Sequence, residues 1–124
     1  MNFYDYEDVI QRLTLFYSKE NLMEALKIIS YFNDYDELRK KLVMAINLYD
    51  KEEIAEHRKY LFDYARLLTV NYDKETLKKY LSSNKNTATD DGRIEKDAIE
   101  IAVEIYDDED TCKEREELRN GGKE

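Results

Sequence analysis

The chain has 124 residues, 40% of them charged, and a formal net charge of −9. That length suits one domain able to bury a core without disulfides or metal, and the excess charge must lie at the surface. The acidity excludes steering of the whole chain to nucleic acid or an anionic membrane, and a single cysteine, Cys112, excludes an internal disulfide.

The N-terminal "MNFYDYEDVI" is acidic and has no basic or apolar signal-peptide regions. The longest apolar run, 42–46, falls far short of the ~20 residues of a membrane span. A soluble, cytoplasmic protein is expected. Proline is absent, and the first glycine is Gly92. Tight hairpins and phosphate-cradling loops need glycine, so the reading is all-α: an irregular antiparallel bundle of about five helices, then an acidic C-terminal helix after a flexible linker. By segment, 1–82 forms the bundle, 83–92 the linker, 93–119 the acidic amphipathic helix and 120–124 a disordered tail.

Apolar residues at i, i+3, i+4 and i+7 mark the helices. The first covers 5–17 through Val9, Ile10, Leu13 and Phe16, and the second 19–32 through Leu22, Leu26 and Ile29. The third covers 35–48 through Leu38, Leu42 and Ala45; the fourth 51–70 through Ile54, Leu61 and Ala65; the fifth 74–82 through Leu77 and Leu81. Ser18, Asp34, Asp50 and Asp73 stand where N-caps belong. Asp50 and Glu53 form a capping box, and Tyr49 can staple onto Ile54. Tyr-Asp-Lys-Glu occurs at 49–52 and again at 72–75; both copies read as helix-start signals. The caps step by 16 and then by 23 residues, which favours an irregular bundle over a solenoid.

Chemistry has little to work with. His57 is the only histidine, so a zinc site would have to be built around Cys112, His57 and carboxylates. No nucleophile elbow, P-loop or dinucleotide fingerprint is present. His57 reads as a hydrogen-bonded, partly buried side chain, and Cys112 as an inert thiol. Neither enzymatic activity nor a cofactor or metal is expected.

Charge is uneven along the chain. Residues 1–40 carry 8 acids and 5 bases, 41–89 carry 7 and 9, and 90–124 carry 14 and 6. On the last helix Asp97, Glu100, Glu104 and Asp107 form one stripe, with Asp108 at its edge. Neighbours along it should sit roughly 5–6 Å apart, near the spacing of phosphates on a strand, and like charges so placed repel. In composition the chain resembles the small acidic inhibitors, rich in Tyr and Asp, that phages and mobile elements make to mimic nucleic acid; the likeness rests on no motif. The expectation is a non-enzymatic protein that binds a protein partner with a basic surface and blocks the basic groove of a nucleic-acid-binding enzyme, without binding nucleic acid itself. Asp97, Glu100, Glu104, Tyr106, Asp107 and Asp108 would make the contact. The alternative is an assembly subunit or adaptor that forms homo-oligomers through the broad apolar face of residues 94–106.

Overall fold

The computed structural model describes residues 3–83 and 89–121. It is all-helical, with no strand among the described residues. A short 3-10 turn, Phe3–Asp5, precedes seven α-helices: α1 Asp8–Phe16, α2 Lys19–Ile29, α3 Asp36–Leu48, α4 Glu52–Asn71, α5 Lys74–Ser83, α6 Asp90–Ile105 and α7 Glu109–Gly121. No described helix is long and apolar enough to cross a membrane.

The acidic helix expected over 93–119 is two helices. The chain turns at Tyr106–Asp108, where the Asp108 N–H returns to the Ile105 carbonyl, and α7 starts anew. The expected linker shrinks as well. Ser83 closes α5, Thr89 caps the first turn of α6 by accepting from the Gly92 N–H at 3.1 Å, and Asp90–Gly92 are helical; residues 84–88 lie outside the described residues. Of the expected tail, Asn120 and Gly121 belong to α7, and the rest is outside the described residues.

Two of the four expected caps are real. Ser18 accepts from the Asn21 N–H at 3.1 Å, and Asp73 from the Thr76 N–H at 2.7 Å. A hydrogen bond from the Thr76 side chain, with the Thr76 N–H adding to it, holds the Asp73 carboxyl below its ordinary range. Asp34 is not a cap: Tyr35 holds the N-cap position of α3 without a side-chain bond. Nor is Asp50, because the first bond of α4 is accepted by Lys51, and the Asp50 carboxylate is taken by Lys19.

The chain divides into two compact units, Met1–Arg58 and Lys59–Glu124, with the boundary inside α4. In the first unit α1 and α2 both pack on α3. The core there is Leu22, Leu42 and Ala45, ringed by Leu13, Ala25, Leu26, Ile29, Ile46 and Tyr49. Each buried leucine of this kind contributes roughly 1.5–3 kcal/mol. In the second unit α5 packs on α6, and Leu61, Ala65, Leu77, Ala98, Ile99, Ile101 and Ala102 are buried.

His57 is half-buried in the first unit. Its ring stacks on Phe3 with centroids 4.3 Å apart, and its Nε2 lies 3.3 Å from the Tyr4 hydroxyl. Burial lowers its pKa from the ordinary 6.5. Just below that pH the unfolded chain binds the proton more readily, so stability is full above 6.5 and declines as pH falls through the folded-state value. Urea midpoints measured at stepped pH should show this decline, and His57→Gln should remove it.

Candidate functional site

A chain with so little glycine needs another way to end its helices. The usual stop is a residue in the left-handed region, most often glycine, yet no described residue has positive φ. Arginines from other elements close the ends instead. In the first unit Arg58 donates to the Tyr49 carbonyl at 3.2 Å and the Thr14 carbonyl at 3.4 Å, closing α3 and α1. Its guanidinium lies over the Tyr49 ring, 3.8 Å from the centroid. Arg39 closes α2 by donating to the Phe32 carbonyl at 2.8 Å. In the second unit Arg115 donates to the Tyr106 carbonyl at 3.0 Å and covers the Tyr106 ring at 4.1 Å. Arg119 reaches the Val70 carbonyl near the end of α4 at 3.1 Å.

The Tyr49 and Tyr106 joints match in further parts. The Tyr49 hydroxyl donates to the Tyr17 carbonyl at 3.0 Å, and the Tyr106 hydroxyl to the Tyr72 carbonyl at 3.4 Å. The aspartate after each tyrosine pairs with the first lysine of an earlier helix: Asp50 with Lys19, and Asp107 with Lys74 at 2.5 Å. Thr14 and Thr69, both buried, turn their hydroxyls onto their own helices, Thr14 to Ile10 and Thr69 to Arg66. Ala45 and Ala102 are both wholly buried.

The two units are therefore copies of one pattern. "LTLFYSKENLMEAL" from Leu13 aligns with "LTVNYDKETLKKYL" from Leu68, and "AINLYDKEEIAEHRKYL" from Ala45 with "AVEIYDDEDTCKEREEL" from Ala102. The offset is 55 residues in the first pair and 57 in the second. The second half of α4 repeats α1, α5 repeats α2, α6 repeats α3, and α7 repeats the first half of α4. The two Tyr-Asp-Lys-Glu stretches, 23 residues apart, are not each other's counterparts. Tyr72 answers to Tyr17, and Tyr49 to Tyr106. The signal was present in the sequence at a longer period than the cap spacing suggested.

This assignment sorts the six expected contact residues. Tyr106 and Asp107 belong to the second joint. Lys74 holds the Asp107 carboxyl below its ordinary range, with Arg115 and Lys78 adding to the effect, and Asp107 in turn raises Lys74. Glu104 and Asp108 are exposed, whereas Asp97 and Glu100 are half-buried and have partners. Asp97, Glu100 and Glu104 share one face of α6. In the first unit the same positions on α3 are Lys40, Val43 and Asn47. One scaffold thus presents a carboxylate face in its second copy and a cationic, apolar face in its first. The latter is an open groove of about 460 Å³ lined by Arg39, Lys40, Val43, Met44, Asn47 and Leu48.

The apolar face expected for oligomerisation is buried at Ala98, Ile99, Ile101 and Ala102 and half-buried at Ile94 and Tyr106. Ile99 is 3% exposed, Ile101 is 1% exposed, and Val103 and Ile105 are half-buried. Among the described residues no group of three or more His, Cys, Asp or Glu could hold a metal ion. Cys112 is half-buried at the second joint, where Arg115 Nη2 lies 3.3 Å from its sulfur. No protein-family model, curated protein or solved structure matches the chain.

The joints can be tested directly. Removing a guanidinium strands partly buried carbonyls, so Arg58→Ala should cost about 1–3 kcal/mol in urea unfolding, and Arg115→Ala a similar amount. Lysine keeps the charge but loses the planar fork and the stack, so Arg58→Lys should recover only a minor part of the loss. Full recovery would show that charge alone matters.

Proposed function

We propose that the protein acts without catalysis, by binding a protein partner through the carboxylate face of α6, and that the partner is a nucleic-acid-binding enzyme whose basic groove this face occupies. The observation that carries the reading is the contrast between the repeats. The fold is built equally well with Lys40, Val43 and Asn47 at the positions that hold Asp97, Glu100 and Glu104. The first copy of the fold therefore carries no acid on this face, whereas in the second Asp97 and Glu100 also have partners within the chain, and like charges at helical spacing repel. A row of carboxylates at phosphate-like spacing can pair with the arginines and lysines that hold a nucleic-acid backbone. Asp108 extends the row. Tyr106 and Asp107 fix the end of α6 through the Tyr72 carbonyl and Lys74.

Self-association through 94–106 has less support, because Ile99 and Ile101 are already covered. The substitution Val103→Asp, at a half-buried position, separates the two readings. Under the present one the protein is a monomer before and after the change. Under the assembly reading it dissociates an oligomer and leaves a folded monomer, a change that light scattering and circular dichroism would detect.

The binding test uses Glu100→Lys, Glu104→Lys and Asp108→Lys in one chain. The immobilised wild-type protein should retain from lysate a basic partner that heparin or high salt releases, since contacts of this kind weaken as salt screens them. The triple variant should lose that partner while keeping its helical spectrum. Retention of the same partner by the triple variant would sink the proposal.

A further inference from the structure

The groove on α3 lies outside the α6 reading and carries an inference of its own. Its residues, 39–40, 43–44 and 47–48, recur every four positions and so line one side of a single helix over roughly 14 Å. The floor is apolar: Val43 is 41% exposed and Met44 47%. The opposite side of α3, with Leu42 and Ala45, is already in the core. At the position that matches Met44, the second unit has Ile101, which is 1% exposed. The scaffold therefore keeps this position covered in one copy and bare in the other. The rim supplies the sign of the missing occupant. The described residues lining the groove include two cations and no carboxylate. Arg39 is held by Asp36 at 2.8 Å and by the Phe32 carbonyl. Lys40 is the available charge: its side chain is 74% exposed, and its ion pair with Glu37 is loose at 3.7 Å.

We infer that the α3 groove is a docking site for an amphipathic acidic helix of a partner protein. Such a helix would lay apolar side chains spaced i, i+3 and i+4 on Val43, Met44 and Leu48 and set a carboxylate against Lys40. A straight strip along one helix suits the helix-in-groove mode, and an unbranched methionine in the floor adapts to varied side chains. The two repeats then offer the same face with opposite preference: α6 for a basic surface, α3 for an acidic helix.

The methionines make the test simple, because the chain has three and only Met44 lies in the groove, with Met23 on α2 as an exposed reference. The full chain, labelled at its methionine methyls, is titrated with a synthetic 14-residue helical peptide bearing leucines at i, i+3, i+4 and i+7 and glutamates on the flanks. A twin peptide carries lysine for every glutamate. The expected result is a saturable shift of the Met44 signal, none at Met23, and binding at least tenfold weaker for the twin. Lys40→Glu, an exposed change that leaves the core untouched, should reverse the preference between the peptides. Three outcomes overturn the inference: no Met44 shift with the acidic peptide at millimolar concentration, equal binding of the two peptides, or a Met44 signal that moves with protein concentration alone. The last would assign the groove to a second copy of the chain.

Discussion

The guanidinium over the tyrosine at a helix end is the contact on which the rest of the structure depends. A helix leaves its last carbonyls without partners, and this chain has almost no glycine with which to turn the backbone back on itself. Arg58 and Arg115 each satisfy the tyrosine carbonyl where a helix stops and stack on the ring of the same residue. The fork does in one side chain what a left-handed residue and its apolar contact do elsewhere. The tyrosine hydroxyl and the following aspartate then tie that end to another helix some thirty residues earlier. A local need, closing a helix, thereby becomes a long-range constraint that sets which helices are neighbours.

Once that joint is recognised, the repeat follows, and with it a division of labour among side chains. Joint residues recur because the architecture needs them: Tyr17 and Tyr72, Lys19 and Lys74, Tyr49 and Tyr106, Asp50 and Asp107, Arg58 and Arg115. Residues on the outer face of α3 and α6 do not recur. The contrast between Lys40 and Asp97, and between Met44 and Ile101, is informative because the surroundings are otherwise matched.

Much of the fold was legible from apolar spacing. Helices α2, α3, α4 and α5 lie within a few residues of where Leu22, Leu42, Leu61 and Leu77 place them, because each side chain must face a core. The break at Tyr106–Asp108 was not legible. It has no glycine or proline, and Ile105 and Cys112, seven residues apart, keep a helical period across it. What ends α6 is Arg115, nine residues further on, and a capping partner supplied by tertiary structure leaves no local mark. The same reason hid the role of Asp50: its spacing to Glu53 suits a capping box, but Lys19 competes for the carboxylate and prevails. Of the candidate site, the acidity of α6 was visible in the sequence, while the engagement of Tyr106 and Asp107 within the chain was not. The α3 groove was not legible because the spacing that places Leu42 and Ala45 in the core does not say whether Val43 and Met44 beside them are covered by another element.

The manner in which the helices are closed also bears on how the protein meets a denaturant. Guanidinium ion is the free form of the group that Arg58 and Arg115 place over tyrosine rings and against carbonyls. In guanidinium chloride the solvent therefore competes for those seats in kind, as well as solvating apolar surface, whereas urea has no charge with which to hold a ring face. For this protein the two denaturants are not interchangeable scales of one quantity. The guanidinium slope should exceed the roughly twofold ratio to urea that exposed area alone implies, and the surplus measures how much of the fold hangs on its arginines.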